Sequence, residues 1–169
     1  MQLARADVGG TQALLESAYL DDVVTDALAP WRGEAARRGI AIELDDLDEA
    51  PAQLDPRLVT RMLNIFVHNA LQYTPGGGHI GVSVSRRDGR AELQVDDSGI
   101  GIAPDERERI FERFFRGTRA RQRAPEGSGL GLAIAAWIAE QHGAVISVGE
   151  GRRGGAQFRV TFPSWPASA

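Results

Sequence analysis

The stretch from His79 to Asp97 constrains this chain more tightly than any other. His79 to Arg86 and Arg90 to Asp97 each alternate apolar and polar residues, and Asp88-Gly89 stands between them. A period of two puts the apolar residues on one face of a strand, and Asp-Gly suits a tight hairpin turn because its central residues take positive φ. A strand pair with one apolar face needs a cover. Just upstream, Asp55-Pro56 opens a helix, with Pro in its first turn, that runs to about Tyr73 and ends at Pro75-Gly76-Gly77-Gly78.

The flanking segments extend this plan. Residues 1–20 read as the tail of an apolar-patterned helix, interrupted at Gly9-Gly10, followed by a short extended stretch from Ser17 to Leu20. From Asp21 the spacing of Val23, Val24, Ala27, Leu28, Trp31 and Ala35 is helical, with Asp21 or Asp22 as cap and Gly39 as stop. Ile40 to Leu44 alternates as a strand, and an acidic loop follows from Asp45 to Glu49. Residues 98–128 hold a Gly/Pro-rich loop, a short helix near Asp105 to Arg113 and an Arg-rich segment, an irregular length of the kind that commonly carries function. Gly129 to His142 returns to helix, and Ala144 to Gly149 and Ala156 to Phe162 form a second hairpin about Gly151 to Gly155. The expected class is α/β in composition, an α+β two-layer sandwich with helices on one face of a mixed, largely antiparallel sheet. At 169 residues, one domain is the expectation.

Composition removes whole classes of chemistry. The chain has no cysteine, which excludes disulfide scaffolds, thiolate zinc sites and cysteine nucleophiles. All 19 basic residues are Arg, so no Schiff-base lysine and no Walker-type phosphate lysine exists. A net charge of −4 provides no basic footprint for nucleic acid. The most apolar stretch, Gly129 to Ala139, is shorter than the roughly 17 to 25 residues a membrane helix needs, so no membrane contact is expected of this segment.

What remains points to a nucleotide. Glycine supplies 20 residues, nearly double the usual share of about 7%. Gly127-Ser128-Gly129-Leu130-Gly131-Leu132 leads straight into a helix, whose free N–H groups and dipole favour an anion. The loop is not a dinucleotide fingerprint, because Leu132 stands where the third glycine belongs and the polar, Pro-broken residues before it make no strand. Asp97 ends a strand beside Gly99, Ile100 and Gly101; as an acceptor-only group it suits an exocyclic amine such as adenine's, though an isolated Asp-x-Gly-x-Gly more often describes an Asx turn. Asn69, Gln72 and Tyr73 share one helix face by their spacing, and one Asn carbonyl is an acceptable oxygen ligand for Mg²⁺ that also holds phosphate and water. Alone, such an Asn is more often a solvated residue or a local hydrogen-bonding group.

In their order along the chain, these segments resemble the catalytic, ATP-binding domain of sensor histidine kinases, within the wider group shared with gyrase-type and chaperone ATPases. Asn69 to Pro75 resembles the family's Asn box and Asp97 to Gly101 its first glycine box. Ile110-Phe111-Glu112-Arg113-Phe114-Phe115-Arg116 resembles its Phe box, and Gly127 to Leu132 its second glycine box. The resemblance covers about residues 17–163 and implies the Bergerat fold. It implies that Asp97 binds the adenine amine, that Tyr73 packs beside the base and that Asn69 holds Mg²⁺ on the triphosphate. The loop between Phe115 and Gly127 becomes a mobile ATP lid whose Arg116, Arg119, Arg121 and Arg123 screen phosphate charge. Gln72, Phe111 and Phe115 fall within the implied nucleotide site, and His68 is a secondary candidate for assisting proton transfer.

Two positions depart from the family pattern. Ile65 stands where the family has a second Asn, and Asn64 points about 140° away from Asn69, since five helical residues turn through about 500°. Gln72 stands where the family favours Lys or Arg. Gyrase-type and chaperone ATPases use a Glu at the Ile65 position to activate water, and Ile takes no proton, which favours a kinase. Leu3 to Asp7 resembles the end of the family's dimerisation domain, making residues 1–16 its remnant and 164–169 a tail. His68, His79 and His142 are followed by Asn, Ile and Gly, so none matches the family's acceptor histidine, which is followed by an acidic residue. The resemblance therefore implies ATP:protein-histidine phosphotransfer to a separate acceptor domain, then a response regulator receiver domain, within a homodimeric parent anchored in the bacterial inner membrane and holding this domain in the cytoplasm. The rival readings are a non-catalytic nucleotide sensor, a hydrolytic ATPase and a serine-directed kinase of the same fold.

Overall fold

A computed structural model describes residues 12–165. The chain begins with β1 (Glu16–Tyr19), two short helices α1 (Leu20–Leu28) and α2 (Trp31–Arg37), β2 (Ala41–Leu47) and β3 (Pro51–Leu54). The long helix α3 (Pro56–Tyr73) precedes the hairpin of β4 (His79–Arg87) and β5 (Arg90–Asp97). Two 3₁₀ turns (Pro104–Glu106 and Arg109–Phe111), the short helix α4 (Thr118–Arg123), α5 (Gly131–Gln141), β6 (Val145–Glu150) and β7 (Ala156–Ser164) complete it. The main sheet runs β2-β4-β5-β7-β6; only the β2–β4 pairing is parallel, and β1 and β3 form a separate antiparallel pair.

The central hairpin is as expected: Ile80 faces Asp97, Val82 faces Val95 and Val84 faces Leu93, and the turn residues Asp88 and Gly89 have φ of 51° and 73°. Those apolar residues share one sheet face with Phe158 and Val160 of β7, and all but Asp97 belong to the buried core. Val59, Met62, Leu63, Phe66, Val67, Ala70 and Leu71 of α3 close over that face. The opposite face is polar, with Glu92 accepting from the Thr161 hydroxyl at 3.2 Å. Helices cover one side only, which gives the two-layer arrangement.

Asp55 caps α3, its carboxylate accepting from Arg57 N at 3.1 Å and Leu58 N at 3.4 Å. The same carboxylate accepts from Leu14 N at 3.0 Å, which ties the entering chain to the helix start. Burial pushes this carboxyl up, but the Arg57 guanidinium and the N–H groups of Leu14 and Leu58 outweigh it and hold it at about 2. His142, buried at the end of α5, accepts from Asp55 N through Nε2 at 3.0 Å and donates from Nδ1 to Ile138 O at 2.7 Å. That arrangement needs the neutral ring, and burial pushes its pKa down.

Several expected elements differ. The single helix expected from Asp21 to Gly39 is two, because Pro30 has no N–H to continue the ladder of α1 and becomes the N-cap of α2. Neither Asp21 nor Asp22 is its cap; Tyr19 holds that position, and Asp21 Oδ1 accepts from Ala50 N at 2.9 Å. The strand β2 runs on to Leu47, into the expected acidic loop, and β3, where no element was expected, pairs with β1. The helix expected near Asp105 to Arg113 is the two 3₁₀ turns. Residues 1–11 of the expected dimerisation remnant and residues 166–169 of the tail lie outside the described residues, while β7 runs through Ser164. No helix among the described residues is long and apolar enough to cross a membrane.

Asp55→Ala removes a cap and leaves the Leu14 N–H without its acceptor, so chemical denaturation is expected to show a loss of about 1 to 2 kcal/mol. The stability that the Asp55 ionisation supplies is full above pH ~4 and is lost as pH falls through about 2. For His142 the folded pKa lies below the unfolded value of about 6.5, so its contribution is intact above that pH and declines as pH falls beneath it. Denaturation midpoints measured at pH 7.5 and 5.5 are expected to differ less in His142→Gln than in the wild type.

Candidate nucleotide-binding site

A cavity of about 460 Å³ opens where α3, the C-terminal end of β5, the Gly99–Ile102 loop, the residue 112–130 segment and the start of α5 meet. The last turns of α3 present Asn69, Gln72 and Tyr73 to it, as their spacing predicts, and His68 beside them. Among the described residues the Asn69 carboxamide makes no hydrogen bond to protein, so both its carbonyl and its amine remain free to meet a ligand or its bound ion.

Asp97 lies at the base of this cavity, on the helix-facing side of the sheet and only 6% exposed. Its Oδ1 accepts from Gly99 N at 2.8 Å and from Ala156 N at 3.2 Å. These bonds set the carboxylate's rotamer and leave Oδ2 as the acceptor for whatever enters. Burial pushes the Asp97 carboxyl above its usual range; the two backbone donors oppose this, and the neighbouring Asp96 adds to the rise. The Asx turn is present on Oδ1, and Oδ2 has no protein partner among the described residues.

Glycines make room for this group. A Cβ on Gly99 would lie 2.5 Å from Tyr73 O, and one on Gly155 would lie 2.2 Å from both Asp97 O and Asp97 Oδ1. The glycines of the β6–β7 turn thus pack behind the carboxylates: Gly151 would place a Cβ 2.3 Å from Asp96 Oδ1. Gly101 has φ of +68° and lines the cavity.

The lid segment leaves the frame at a narrow neck, where Phe114 N donates to Gly129 O at 2.9 Å. Phe114 has φ of +61°, and Gly129 has φ of +72° and no space for a Cβ, which would sit 2.8 Å from Phe114 C. Phe115, Gly127, Ser128, Gly129, Gly131 and Leu132 line the cavity. Leu130 does not; it is the N-cap residue of α5. Gly99 and Phe111 are also set back, Gly99 behind Asp97 and Phe111 edge-on to Phe158 at 6.4 Å. Arg116 lines the cavity, yet its guanidinium donates to Pro125 O at 2.7 Å, to Ala120 O at 3.3 Å and to Ala124 O, so it organises the lid backbone. Arg109 lies 4.4 Å over the Phe115 ring.

Ile65 occupies the crossing of α3 and α5, where a Cβ on Gly131 would meet its Cγ2 at 3.3 Å. Asn64 is turned away as its helical angle requires, accepting from Trp31 Nε1 at 2.8 Å. The motifs did not single out Glu106, Ala156 or Phe158 as cavity residues. Ala156 and Phe158 were legible only as inward positions of a strand, and nothing local marked Glu106.

Residues 54–166 match the family model described as histidine kinase-, DNA gyrase B-, and HSP90-like ATPase. The sensor-like histidine kinase SenX3 of Mycobacterium tuberculosis is 39% identical over 149 residues, covering 86% of this chain and 35% of that protein. The signal transduction histidine-protein kinase/phosphatase MprB of Mycobacterium avium is 38% identical over 173 residues, covering 98% of this chain and 31% of that protein. Among solved structures, a mycobacterial sensor histidine kinase MprB aligns with a TM-score of 0.79 at 30% identity, over 90% of this chain and 100% of that one. Full-length ShkA in complex with AMPPNP aligns with a TM-score of 0.81 at 28% identity, over 98% of this chain and 34% of that one. The chain belongs to the histidine kinase-, DNA gyrase B- and HSP90-like ATPase family, as an ATP-binding catalytic domain of the sensor histidine kinase type. It spans about a third of the length of the curated relatives it matches.

Gly155→Ala is expected to displace Asp97, lowering stability by about 1 to 3 kcal/mol as overpacking does and abolishing calorimetrically detectable nucleotide binding. Because burial raises the Asp97 pKa, nucleotide affinity measured against pH is expected to decline on acidification at a pH above the ordinary carboxylate value of about 3.9.

Proposed function

We propose that this domain binds ATP with Mg²⁺ and transfers the γ-phosphate to a histidine on a dimerisation domain of its parent protein, from which it passes to a receiver domain of a response regulator. The observation that carries the reading is Asp97: a buried carboxylate that lines a cavity large enough for a nucleotide, with one oxygen held by two backbone N–H groups and the other without a protein partner among the described residues. In this reading Oδ2 accepts from the adenine amine, a bond to a charged group worth about 1.5 to 3 kcal/mol, and Tyr73 packs beside the base. Asn69 suits Mg²⁺, because a neutral amide oxygen without a protein partner shares an octahedral ion with phosphates and water. The ion would neutralise and orient the triphosphate; Gln72 adds hydrogen bonds without charge, and the lid excludes water.

Residues 17–163 form the catalytic unit in this reading, held in the cytoplasm by a membrane-anchored, homodimeric parent. Transfer requires the acceptor to approach the open side of the cavity, where positioning and charge stabilisation supply most of the rate. His68 lines the cavity, edge-on to Trp31 at 6.4 Å, and in this reading is a secondary candidate for assisting proton transfer. Hydrolysis is disfavoured because Ile65, apolar and wedged against α5, is no general base. The same Ile65, together with the uncharged Gln72, favours a second reading: a module that binds nucleotide and signals without transfer.

Asp97→Asn presents a donor where the adenine amine needs an acceptor and is expected to weaken ATP binding at least tenfold by calorimetry. Asn69→Ala is expected to weaken ATP binding in the presence of Mg²⁺ but not in its absence. Joined to its own acceptor domain, the wild type is expected to become labelled from γ-labelled ATP; normal ATP binding without label would favour the non-catalytic module.

A further inference from the structure

Helix α4 of the lid has six residues, too few to be stable by itself. Its N-cap is Gly117, which has no side chain to satisfy the free N–H groups. That role falls to Glu106, a residue of the first 3₁₀ turn, on the frame beneath. Glu106 Oε1 accepts from Thr118 N at 3.0 Å and from Thr118 Oγ1 at 3.1 Å. The carboxylate lies so close to the helix start that a Cβ on Gly117 would be 2.5 Å from Oε2. At the other end the Arg116 guanidinium takes the carbonyls of Ala120, Ala124 and Pro125, so an anion holds the positive end of the helix and a cation the negative end.

Arg116 belongs to the lid segment; Glu106 does not. Among the described residues, the hydrogen bonds that join α4 to residues outside the lid segment are the two from Thr118 to Glu106 and one from Arg119 Nη1 to Ile100 O at 3.0 Å. Glu106, Gly117 and Arg119 all line the cavity, so breaking these bonds opens its wall.

We propose that Glu106 is the latch of the lid: by capping α4 from the frame, its carboxylate holds the cavity closed and sets the rate at which nucleotide enters and leaves. The proposal rests on the cavity being the nucleotide site and assigns Glu106 no contact with nucleotide. It is a positioning residue that acts through the lid helix. A kinase domain must release ADP after each transfer, so the strength of this latch limits how fast the site is refilled.

Hydrogen exchange of the nucleotide-free chain and stopped-flow binding of mant-ADP test it together. In Glu106→Ala, exchange over residues 117–124 is expected to rise on the order of tenfold, the effect of losing charge-assisted bonds, with the thermal midpoint unchanged. Association and dissociation of mant-ADP should both quicken while their ratio changes less than either. Glu106→Gln retains a neutral acceptor and should fall between wild type and Glu106→Ala. Gly117→Ala drives a Cβ into the carboxylate, so it should loosen the lid in the wild type and add nothing in Glu106→Ala. Unchanged lid exchange in Glu106→Ala, or a rise in dissociation alone with association unchanged, overturns the latch; the second result makes Glu106 a nucleotide contact. Should no variant bind mant-ADP, the nucleotide reading fails, and exchange over residues 117–124 still decides the latch.

Discussion

The structure is organised around a carboxylate that folding buries and then supplies with donors. Asp97 ends a central strand, where the sheet's apolar face gives way to the cavity, and the N–H groups of Gly99 and Ala156 hold its Oδ1. An ionised group at that depth is costly unless bonded. Those bonds join the end of β5 to the loop after it and to the start of β7. Much else follows as accommodation: Gly99 lets that loop pass under Tyr73 O, and Gly155 lets the second hairpin close behind the carboxylate. The cavity is thus built outward from one acceptor, with α3 as its wall.

Helix α3 does two jobs with one residue periodicity. Its apolar positions from Val59 to Leu71 are buried against the sheet, while His68, Asn69, Gln72 and Tyr73 in its last turns emerge beyond the sheet's end and face the cavity. The helix must therefore start at a fixed point, because a shift of one residue would rotate the polar set by about 100°. Asp55 supplies that point, and its bonds to Leu14 N, Arg57 N and the His142 contact draw the chain entry, the helix start and the end of α5 into one cluster on the far side from the cavity. Packing at one end of α3 thereby orients chemistry at the other.

The lid shows how charge is apportioned when every cation is Arg. Arg116, expected to screen phosphate, is bound to the lid's own carbonyls, and Arg109 lies over Phe115, so neither is a free charge waiting for a ligand. Arg119 lines the cavity yet donates to Ile100 O. The planar, multi-donor guanidinium suits such backbone bracing in a way that an ammonium does not. Two of the four lid arginines, Arg116 and Arg119, thus brace backbone in this structure.

The chain by itself determined the hairpin, the long capped helix, the Asp97, Asn69 and glycine motifs and the exclusion of cysteine and lysine chemistry, because each depends on local periodicity, turn geometry or composition. The angle of Asn64 away from Asn69 was equally legible, being helix geometry alone. Only the tertiary structure decided that Pro30 splits the first helix, that β3 pairs with β1, and that Gly151 and Gly155 serve the Asp96–Asp97 end of the sheet and not a phosphate. Only it brought Glu106 to Thr118 and Arg116 to the carbonyls of its own lid. These depend on which distant groups fill a given space or take up a given N–H, and neither spacing nor propensity along the chain carries that information.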